Sequence, residues 1–474
     1  MIPGQAARRA AVLGAVAWLL PQGAGAVTLE EALILSYQSN PTLQAARADL
    51  RATDELVPQA MNNFFRPQLN AVGIYGKERV TTRERLSDSQ GSRSTTNKET
   101  LKDKYVELTV DLPLYRGGST VAGIDAANAT VDSQEATLRS TEQSLFVDVV
   151  TVYADVLLAR AMVQFSNDSL SDLGTLRQMT RDMLDHQRAT VTDMAQINAQ
   201  VSQARGDLAR RNADVRTAEG EFLRLVGREP SNLERRPKLP ESVVNLEAGL
   251  VQAVKFHPDI VAARKQVDAD RASVRQQVGA LLPQLDAYGS VSYEWDKAEY
   301  AATGDTPDYD ELDREVTLEA GLQLTLPLYT GGGQYAVVRQ AKQVLIRDQH
   351  TLRATEEQVE SDVRSSWANY EAAEHALRDA EDQVEAAGQA YEGLRRRYRD
   401  RTTTIQEVLI AQDDRTQALM LREAAHHDRL VASANLIAAV GSLDIRSLQL
   451  PTPVYDTRIY REESRVRLFG IAVD

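Results

Sequence analysis

Two segments of the chain alternate apolar and polar residues with a period of two. From Val316 to Leu328 and from Val106 to Leu114, every even-numbered residue is apolar, and the odd-numbered residues are polar, glycine or proline. This alternation predicts β-strands with one apolar and one polar face. The strands are long enough to cross a membrane. The alternative is a soluble sheet whose apolar face is covered by a core.

A second pattern places apolar or small residues at alternating three- and four-residue steps. In residues 352–394 and 138–163 these positions form a heptad seam, which is typical of helices packed as in a left-handed coiled coil. No proline interrupts residues 119–186, so we predict one helix of roughly 100 Å there. Because these seams pack helices against helices, they are not available to cover a soluble sheet, which favours membrane strands.

The chain contains an internal duplication. The segment Leu112–Gly118 (LPLYRGG) recurs as Leu326–Gly332 (LPLYTGG), a shift of 214 residues, and Val226-Gly227 recurs as Val440-Gly441 at the same shift. Two copies of one unit are therefore present, each unable to bury its apolar face alone. We divide the chain into a signal peptide (1–26), a first repeat (27–240), a second repeat (241–450) and a C-terminal tail (451–474).

The N-terminus has the composition of a secretory signal. Arg8-Arg9 precede the apolar run Ala10–Leu20 and an Ala24-Gly25-Ala26 cleavage site. A membrane anchor is the alternative, but the apolar run is shorter than a bilayer requires. The chain has no cysteine, which excludes disulfides, thiolate metal sites and a lipid-modified N-terminal cysteine. Its formal net charge of −14 argues against nucleic-acid binding.

Each repeat supplies two strands, and four strands per chain cannot close a barrel. An open sheet edge is not tolerated in lipid, so the chain must share its strands with other copies. Three copies would supply twelve strands, enough to enclose a water-filled lumen. We expect the polar stretches 77–104 and 296–314 to be long loops at the strand tips.

The chain resembles the TolC family of outer-membrane channels over essentially its whole mature length. The resemblance is carried by Thr28–Leu33 (TLEEAL), Asn40-Pro41, the two LPLYxGG motifs and the paired Val-Gly ends, which occur in order. It implies an α+β membrane protein: a homotrimeric 12-stranded outer-membrane β-barrel with four strands per chain, continued by a long periplasmic α-helical barrel. Tyr455-Asp456 and Phe469-Gly470 are similar to the tail of members that serve type I secretion.

The resemblance also implies a function. We expect an outer-membrane channel-tunnel, extending into the periplasm, that passes a secreted protein to the exterior, such as an RTX toxin of the adenylate-cyclase-haemolysin type. The expected partners are two further copies of the chain, a periplasmic membrane-fusion adaptor, an inner-membrane ABC exporter or proton-driven pump, and outer-membrane lipid. Alternatives are a drug or metal efflux channel, or a periplasmic coiled-coil adaptor, which would have no use for four amphipathic strands.

Similarity to the family implies a narrow periplasmic aperture where the long helices turn back. Thr190–Asp193 in the first repeat corresponds to Thr404–Glu407 in the second. The resemblance implies that Glu407 belongs to an acidic ring at the aperture. It also implies that Asp193, Thr192 and Tyr398 match residues that link neighbouring helices in the family. The chain departs from the family pattern at three positions. Ile410 stands where the family has a second acidic residue, Thr403 stands where it has a linking arginine, and Arg401 stands where it has the turn glycine.

Two alternatives remain open at these turns. Asp193 and Glu407 could simply cap the returning helices, where a carboxylate is favourable, and this role can coexist with a pore role. The arginines between residues 395 and 401 could form salt bridges with Asp182, Asp185 and Asp193 that hold the aperture shut, or they could belong to a solvated helix face.

No motif in the sequence predicts catalysis or a bound cofactor. Gly117-Gly118 and Gly331-Gly332 lack the lysine of a phosphate-binding loop, and we interpret them as turns from strand to helix that need a left-handed backbone. His426 and His427 are adjacent, so on a helix they point in different directions, and no second ligand pair accompanies them. We therefore predict neither an enzyme nor a metal site.

Overall fold

The computed structural model describes residues 27–88, 91–240, 245–300, 309–467 and 470–471. The predicted signal peptide (1–26), residues 241–244 at the predicted repeat boundary, and part of the predicted tail lie outside the described residues. The elements in chain order are α1 (Leu29–Ser39), α2 (Pro41–Asp54), α3 (Leu56–Ala60), β1 (Gln68–Asp88), β2 (Gly91–Arg116), α4 (Ser119–Asp185), α5 (Val191–Val226), α6 (Leu246–Phe256), α7 (Pro258–Gly279), β3 (Gln284–Tyr300), β4 (Tyr309–Thr325), α8 (Gly333–Arg399), α9 (Ile405–Ala439) and α10 (Thr457–Val466).

The chain folds into two compact units, and each contains parts of both predicted repeats. The first unit, called the helical unit, comprises the described residues of 27–44, Thr141–Ala253 and Glu360–Val454. The second, called the sheet unit, comprises the described residues of Ala45–Ser140, Val254–Val359 and 455–471. Neither the repeat boundaries nor the tail boundary is decided by this division, so both stay predictions.

The sheet unit contains one antiparallel sheet with the strand order β1-β2-β3-β4. The pairings run from Gln68↔Asp111 to Asp88↔Gly91 between the first two strands, and β3 then joins β2 to β4. The prediction of four amphipathic strands per chain is confirmed. Among the described residues, β1 and β4 each pair on one side only, so both edges of the sheet are open.

The expectation of long loops at the strand tips is wrong for most of both segments. β1 continues to Asp88 and β2 starts at Gly91, so every described residue of the stretch 77–104 is strand, and residues 89–90 lie outside the described residues. β3 extends to Tyr300 and β4 begins at Tyr309. Backbone pairing continues here because cross-strand hydrogen bonds join main-chain groups and do not require an apolar face. The alternation of apolar and polar residues detects a strand only where one face is apolar, so it missed these segments.

The two LPLYxGG motifs also differ in structure. β2 includes Leu112–Arg116, with a register shift at Pro113/Tyr115, whereas β4 ends at Thr325, before the second motif. Arg116 is held at the end of β3, where it donates to Gln284 (2.8 Å) and pairs with Asp286 (2.9 Å). The strand predicted to reach Leu328 is three residues shorter, because its partner β3 begins at Gln284, which pairs with Thr325, and the residues after Thr325 have no partner strand within the described part of the chain.

The long helices form as predicted. Both α4 and α8 have 67 residues, and α4 ends one residue before the predicted limit. Seam residues such as Val149, Val156, Val363 and Tyr391 are buried, which confirms the heptad packing. Within the part of the chain that the structure describes, no helix is both long and apolar enough to cross a membrane.

Tyr153 lies at the centre of the helical unit and is fully buried. Its hydroxyl donates to the carbonyl oxygen of Val27 (2.8 Å) and accepts a hydrogen bond from the backbone N–H of Glu234 (2.8 Å). Burial raises the pKa of Tyr153 to about 12, so the hydroxyl stays neutral. This one side chain therefore joins the segment before α1, α4 and the segment after α5.

Candidate functional site

The two turns between the long helices have the same backbone structure. At the end of α4, the N–H of Arg188 bonds to the carbonyl of Met183 (2.6 Å) and Gln187 has a φ of +57°. At the end of α8, the N–H of Thr402 bonds to the carbonyl of Arg397 (2.9 Å) and Arg401 has a φ of +62°. Both are Schellman motifs with a side chain where glycine is usual.

Asp193 and Glu407 occupy the same place, three residues after the N-cap of the returning helix. Asp193 and Thr190 form a complete capping box, in which the Asp193 carboxylate accepts from the N–H of Thr190 (2.8 Å). The N–H of Glu407 donates to the hydroxyl of Thr404 (3.3 Å), and the Glu407 carboxylate accepts from the hydroxyl of Thr403. The capping role is therefore present within one chain, and Thr403 joins the second cap.

Tyr398 lies between the two helical hairpins, α4–α5 and α8–α9, and contacts both. Its ring is buried, and its hydroxyl lies 3.2 Å from the hydroxyl of Thr180 on α4. Burial raises the pKa of Tyr398. The surrounding apolar cluster draws residues from all four long helices, including Leu176, Ile197, Tyr391 and Val408. The ends of the two hairpins thus share one small core.

Several residues near the turns face away from this core. Thr192 is exposed, Ile410 is 55% exposed and Val191 is 76% exposed. These exposed aliphatic side chains make part of the surface at the predicted aperture apolar. At position 410 the apolar side chain replaces the second acid that the resemblance leads one to expect. The structure of one chain does not cover them.

Within the described part of the chain, the arginines between residues 395 and 401 form no salt bridge with the other helical hairpin. Arg395 pairs with Glu392 of its own helix (3.8 Å), and the Arg397 side chain donates to the carbonyl of Thr402 (3.3 Å). Among the described residues, no ion pair joins an arginine of 395–401 to Asp182, Asp185 or Asp193. Salt bridges that hold the aperture shut would therefore have to join different subunits.

The glycines of the two LPLYxGG motifs all have left-handed backbones, as predicted, with φ from +62° to +79°. They differ in their surroundings. A Cβ atom on Gly117 would lie 2.2 Å from the carbonyl oxygen of Gly279, whereas a Cβ on Gly118, Gly331 or Gly332 would meet no atom within 4 Å. Gly117 is therefore needed for close packing of the strand end against α7, and the others for conformation alone.

The polar face of the sheet carries a set of carboxylates that the sequence analysis missed. Residues directly opposite each other on antiparallel strands share a face, and the register aligns Gly76, Asp103, Asp296 and Asp313 in one row. The next row contains Glu294 and Glu315. Asp103, Asp296 and Asp313 lay in segments expected to be loops, so only the pairing register could bring them together.

Among the described residues, no group of three or more metal-binding side chains is close enough to hold a metal ion. His427 contacts the carboxylates of Asp155 and Asp428, each at 2.9 Å, and both contacts raise its pKa, with Asp155 the larger cause. His426 lies 2.5 Å from an Arg236 nitrogen, and burial lowers its pKa. The two histidines therefore have separate protein partners.

Long paired helices, a duplicated architecture and a four-stranded amphipathic sheet with open edges define the subunit of an outer-membrane channel. The sequence profile of the outer membrane efflux protein family matches residues 33–228 and again residues 249–442. The chain therefore belongs to this family of transport channels, which confirms the resemblance to the TolC family, the predicted fold class and the location in the outer membrane with extension into the periplasm.

Individual relatives agree with this assignment. The chain is 30% identical to the outer membrane efflux protein BepC of Brucella suis over 98% of its length and 96% of BepC. It is 25% identical to the alkaline protease secretion protein AprF of Pseudomonas aeruginosa over 62% of its length and 60% of AprF. The outer-membrane channel OprN has the same fold, with a TM-score of 0.68 and 18% identity over 87% of this chain and 89% of OprN.

Proposed function

We propose that three copies of this chain form the exit tunnel of a tripartite export machine. The observation that carries the proposal is the pair of open edges on β1 and β4. Unpaired backbone groups are too costly in lipid, so these edges must pair with another subunit. Three copies give twelve strands, and the apolar face of the sheet, with Leu318 82% exposed, then faces lipid.

The tunnel needs an energised partner, since the sequence contains no phosphate-binding loop. An inner-membrane transporter and a periplasmic adaptor would supply the energy and bridge the gap, and the adaptor would dock on the turns around Gln187 and Arg401. Because the chain has no cysteine, Arg188→Cys and Arg401→Cys each introduce a unique thiol for cross-linking. Cross-links to the adaptor during export support the proposal, whereas cross-links confined to a Ser94→Cys control on the outer strand hairpin refute it.

A secreted protein is the cargo we favour. The name of AprF assigns secretion of a protease to that relative, and the C-terminal segment is similar to the tail of type I secretion members. In this chain the tail is anchored: Arg461 pairs with Asp132 (2.9 Å) and Tyr460 donates to Glu55 (2.9 Å). The name of BepC assigns efflux to that relative, which favours the efflux alternative instead.

A gene deletion separates the two kinds of cargo. We expect the deletion to abolish secretion of one or more large proteins into the medium while leaving drug and metal tolerance unchanged, with restoration by the wild-type gene. Loss of tolerance without any loss of secreted protein would favour efflux. In either case the channel fold and its location stand, because they do not depend on the cargo.

We further propose that Glu407, and to a lesser degree Asp193, line the aperture. Three copies of an exposed carboxylate in a narrow opening create a negative potential that attracts cations. In planar bilayers, Glu407→Gln should lower the preference for cations, while Glu357→Gln, an equal charge change on an exposed part of α8, should not. If the ion selectivity of Glu407→Gln is unchanged, Glu407 does not line the constriction, and this proposal is wrong.

A further inference from the structure

The sheet register separates two faces along the whole length of the strands. On the face that includes Leu318, each row across the four strands is apolar near the helices. Two such rows are Ala71–Leu108–Val291–Leu318 and Gly73–Val106–Tyr293–Val316. An apolar band of this kind is the lipid-facing surface of a membrane barrel.

The next row of the same face marks the edge of the membrane. It contains Tyr75, Lys104, Trp295 and Arg314. The rings of Tyr293 and Trp295 stack with centroids 4.0 Å apart, and the Lys104 ammonium lies 5.9 Å from the Tyr75 ring. Aromatic residues at the end of an apolar band lie at the level of the lipid headgroups.

Above the aromatic row the same face becomes basic. The following row contains Lys77, Lys102 and Lys297. In the next row Arg79 lies opposite Thr100, and the same face holds the positions of Glu299 on β3 and Asp310 on β4. Beyond these strands, β1 and β2 continue as a two-stranded ribbon on which Lys98, Arg83 and Arg85 occupy the same face. From the pair Tyr75–Lys104 to the pair Ser87–Ser92, no residue of β1 or β2 on this face is acidic.

On β1 and β2 the acids of this region are on the opposite face. The row level with these lysines contains Asp103, Asp296 and Asp313, and Glu78 and Glu84 follow on β1. Up to the row of Lys77, Lys102 and Lys297, and along β1 beyond it, the cations therefore continue the lipid-facing surface and the carboxylates continue the lumen surface.

We infer that this basic face binds the phosphate groups of glycolipids in the outer leaflet of the outer membrane. The four strands join helices at one end, which is periplasmic, so the hairpin ends reach the outer leaflet. Successive rows on a face are about 7 Å apart, since a strand rises about 3.3 Å per residue. The two rows that contain Lys104, Arg314, Lys77, Lys102 and Lys297 therefore stand at headgroup depth.

Continuity with the apolar band identifies the occupant. A soluble acidic peptide would need no apolar surface beneath the cations, whereas a phosphorylated glycolipid has its acyl chains on the band and its phosphates one or two rows higher. Attraction of clustered Lys and Arg to anionic lipid surfaces is well established physically. The inference rests on the membrane position of the sheet, and it is independent of the cargo and the adaptor.

The test measures binding of diphosphorylated lipid A to the full-length mature channel in non-ionic detergent by native mass spectrometry. The variant is Lys77→Gln/Lys102→Gln/Lys104→Gln. The control, Arg205→Gln/Arg216→Gln/Lys342→Gln, removes the same charge from exposed helical positions. Each basic residue near an anionic lipid surface contributes roughly fivefold to binding, so the variant should bind about a hundredfold more weakly and the control as wild type.

Two further arms use the wild-type channel and do not depend on how the variant folds. Lipid A from which both phosphates have been removed should lose binding to the same degree, and raising the salt concentration should weaken binding of the intact lipid. Equal binding of the dephosphorylated lipid, or equal binding by the lysine variant and the control, overturns the inference. A channel that conducts ions normally but fails these arms leaves the proposed function intact.

Discussion

The hydroxyl groups of Tyr398 and Thr180 lie 3.2 Å apart in the core shared by the two helical hairpins. Thr180 is fully buried and Tyr398 is 7% exposed. The pair connects α8 to α4 within the last turns before each helix ends. Because both hydroxyls are removed from water, each depends on the other for its hydrogen bond.

The first prediction concerns this pair. Tyr398→Phe leaves the Thr180 hydroxyl buried without its partner, so we expect the free energy of unfolding to fall by about 1–3 kcal/mol. Thr180→Val in the Tyr398→Phe background replaces both partners with apolar groups and should recover part of the loss. Thermal unfolding of the four proteins in a double-mutant cycle measures the coupling. Additive effects would show that the hydrogen bond contributes nothing.

The second prediction compares two glycines of the duplicated motif. Gly331→Ala imposes only a left-handed backbone on alanine, at a cost of about 1–2 kcal/mol. Gly117→Ala adds a clash with the Gly279 carbonyl and the Leu282 Cβ, so its total cost should reach about 3–5 kcal/mol. The measurement is the yield and thermal stability of assembled protein in detergent. Equal losses would contradict the close packing of the first motif on α7.

The third prediction uses adjacent residues on opposite faces of β4. Leu322 aligns with Ala287 on the apolar face, and Gln323 aligns with Asp286 on the polar face. Leu322→Arg should impair assembly by about 2–4 kcal/mol if it lies near the bilayer midplane, while Gln323→Arg should be tolerated. Outer-membrane insertion is measured by fractionation and by the heat-modifiable trimer band. Tolerance of both substitutions would contradict the assignment of the lipid-facing side.

The fourth prediction is a pH dependence in the sheet unit. Asp270 on α7 is buried and lies near the carboxylate of Asp348 on α8, and Arg347 lowers the pKa of Asp348 through contacts of 2.6 and 2.8 Å. Burial raises the pKa of Asp270 to about 6. Protonation of Asp270 therefore contributes stability that is present at low pH and is lost as the pH rises through about 6.

The expected result is a variant that is more stable than the wild type only at high pH. Asp270→Asn keeps a hydrogen-bond donor without the charge, so it should stabilise the protein at pH 8 by on the order of 2–3 kcal/mol and have little effect near pH 4. Asp348→Asn, which removes the partner of Arg347, should not stabilise the protein at pH 8. Thermal unfolding from pH 4 to pH 8 provides the comparison. A difference between Asp270→Asn and wild type that does not change with pH contradicts the prediction.

Much of this architecture could be predicted from the sequence because it depends on local periodicity. The uninterrupted pattern over residues 119–186 predicted the length of α4, and the two-residue alternation from Val316 predicted a membrane strand. Each of these signals lies within a few residues along the chain, where backbone geometry alone fixes which side chains share a face.

The remaining features required the tertiary structure, because they depend on pairings between residues far apart in the chain. The strands through residues 77–104 are polar on both faces, so no periodicity distinguishes them from a loop. Only the register between β1, β2 and β3 shows that Lys77, Lys102 and Lys297 share one face. Likewise, the partners of Tyr153 and Tyr398 lie on other elements, and a hydrogen bond between distant segments leaves no signal in a single sequence.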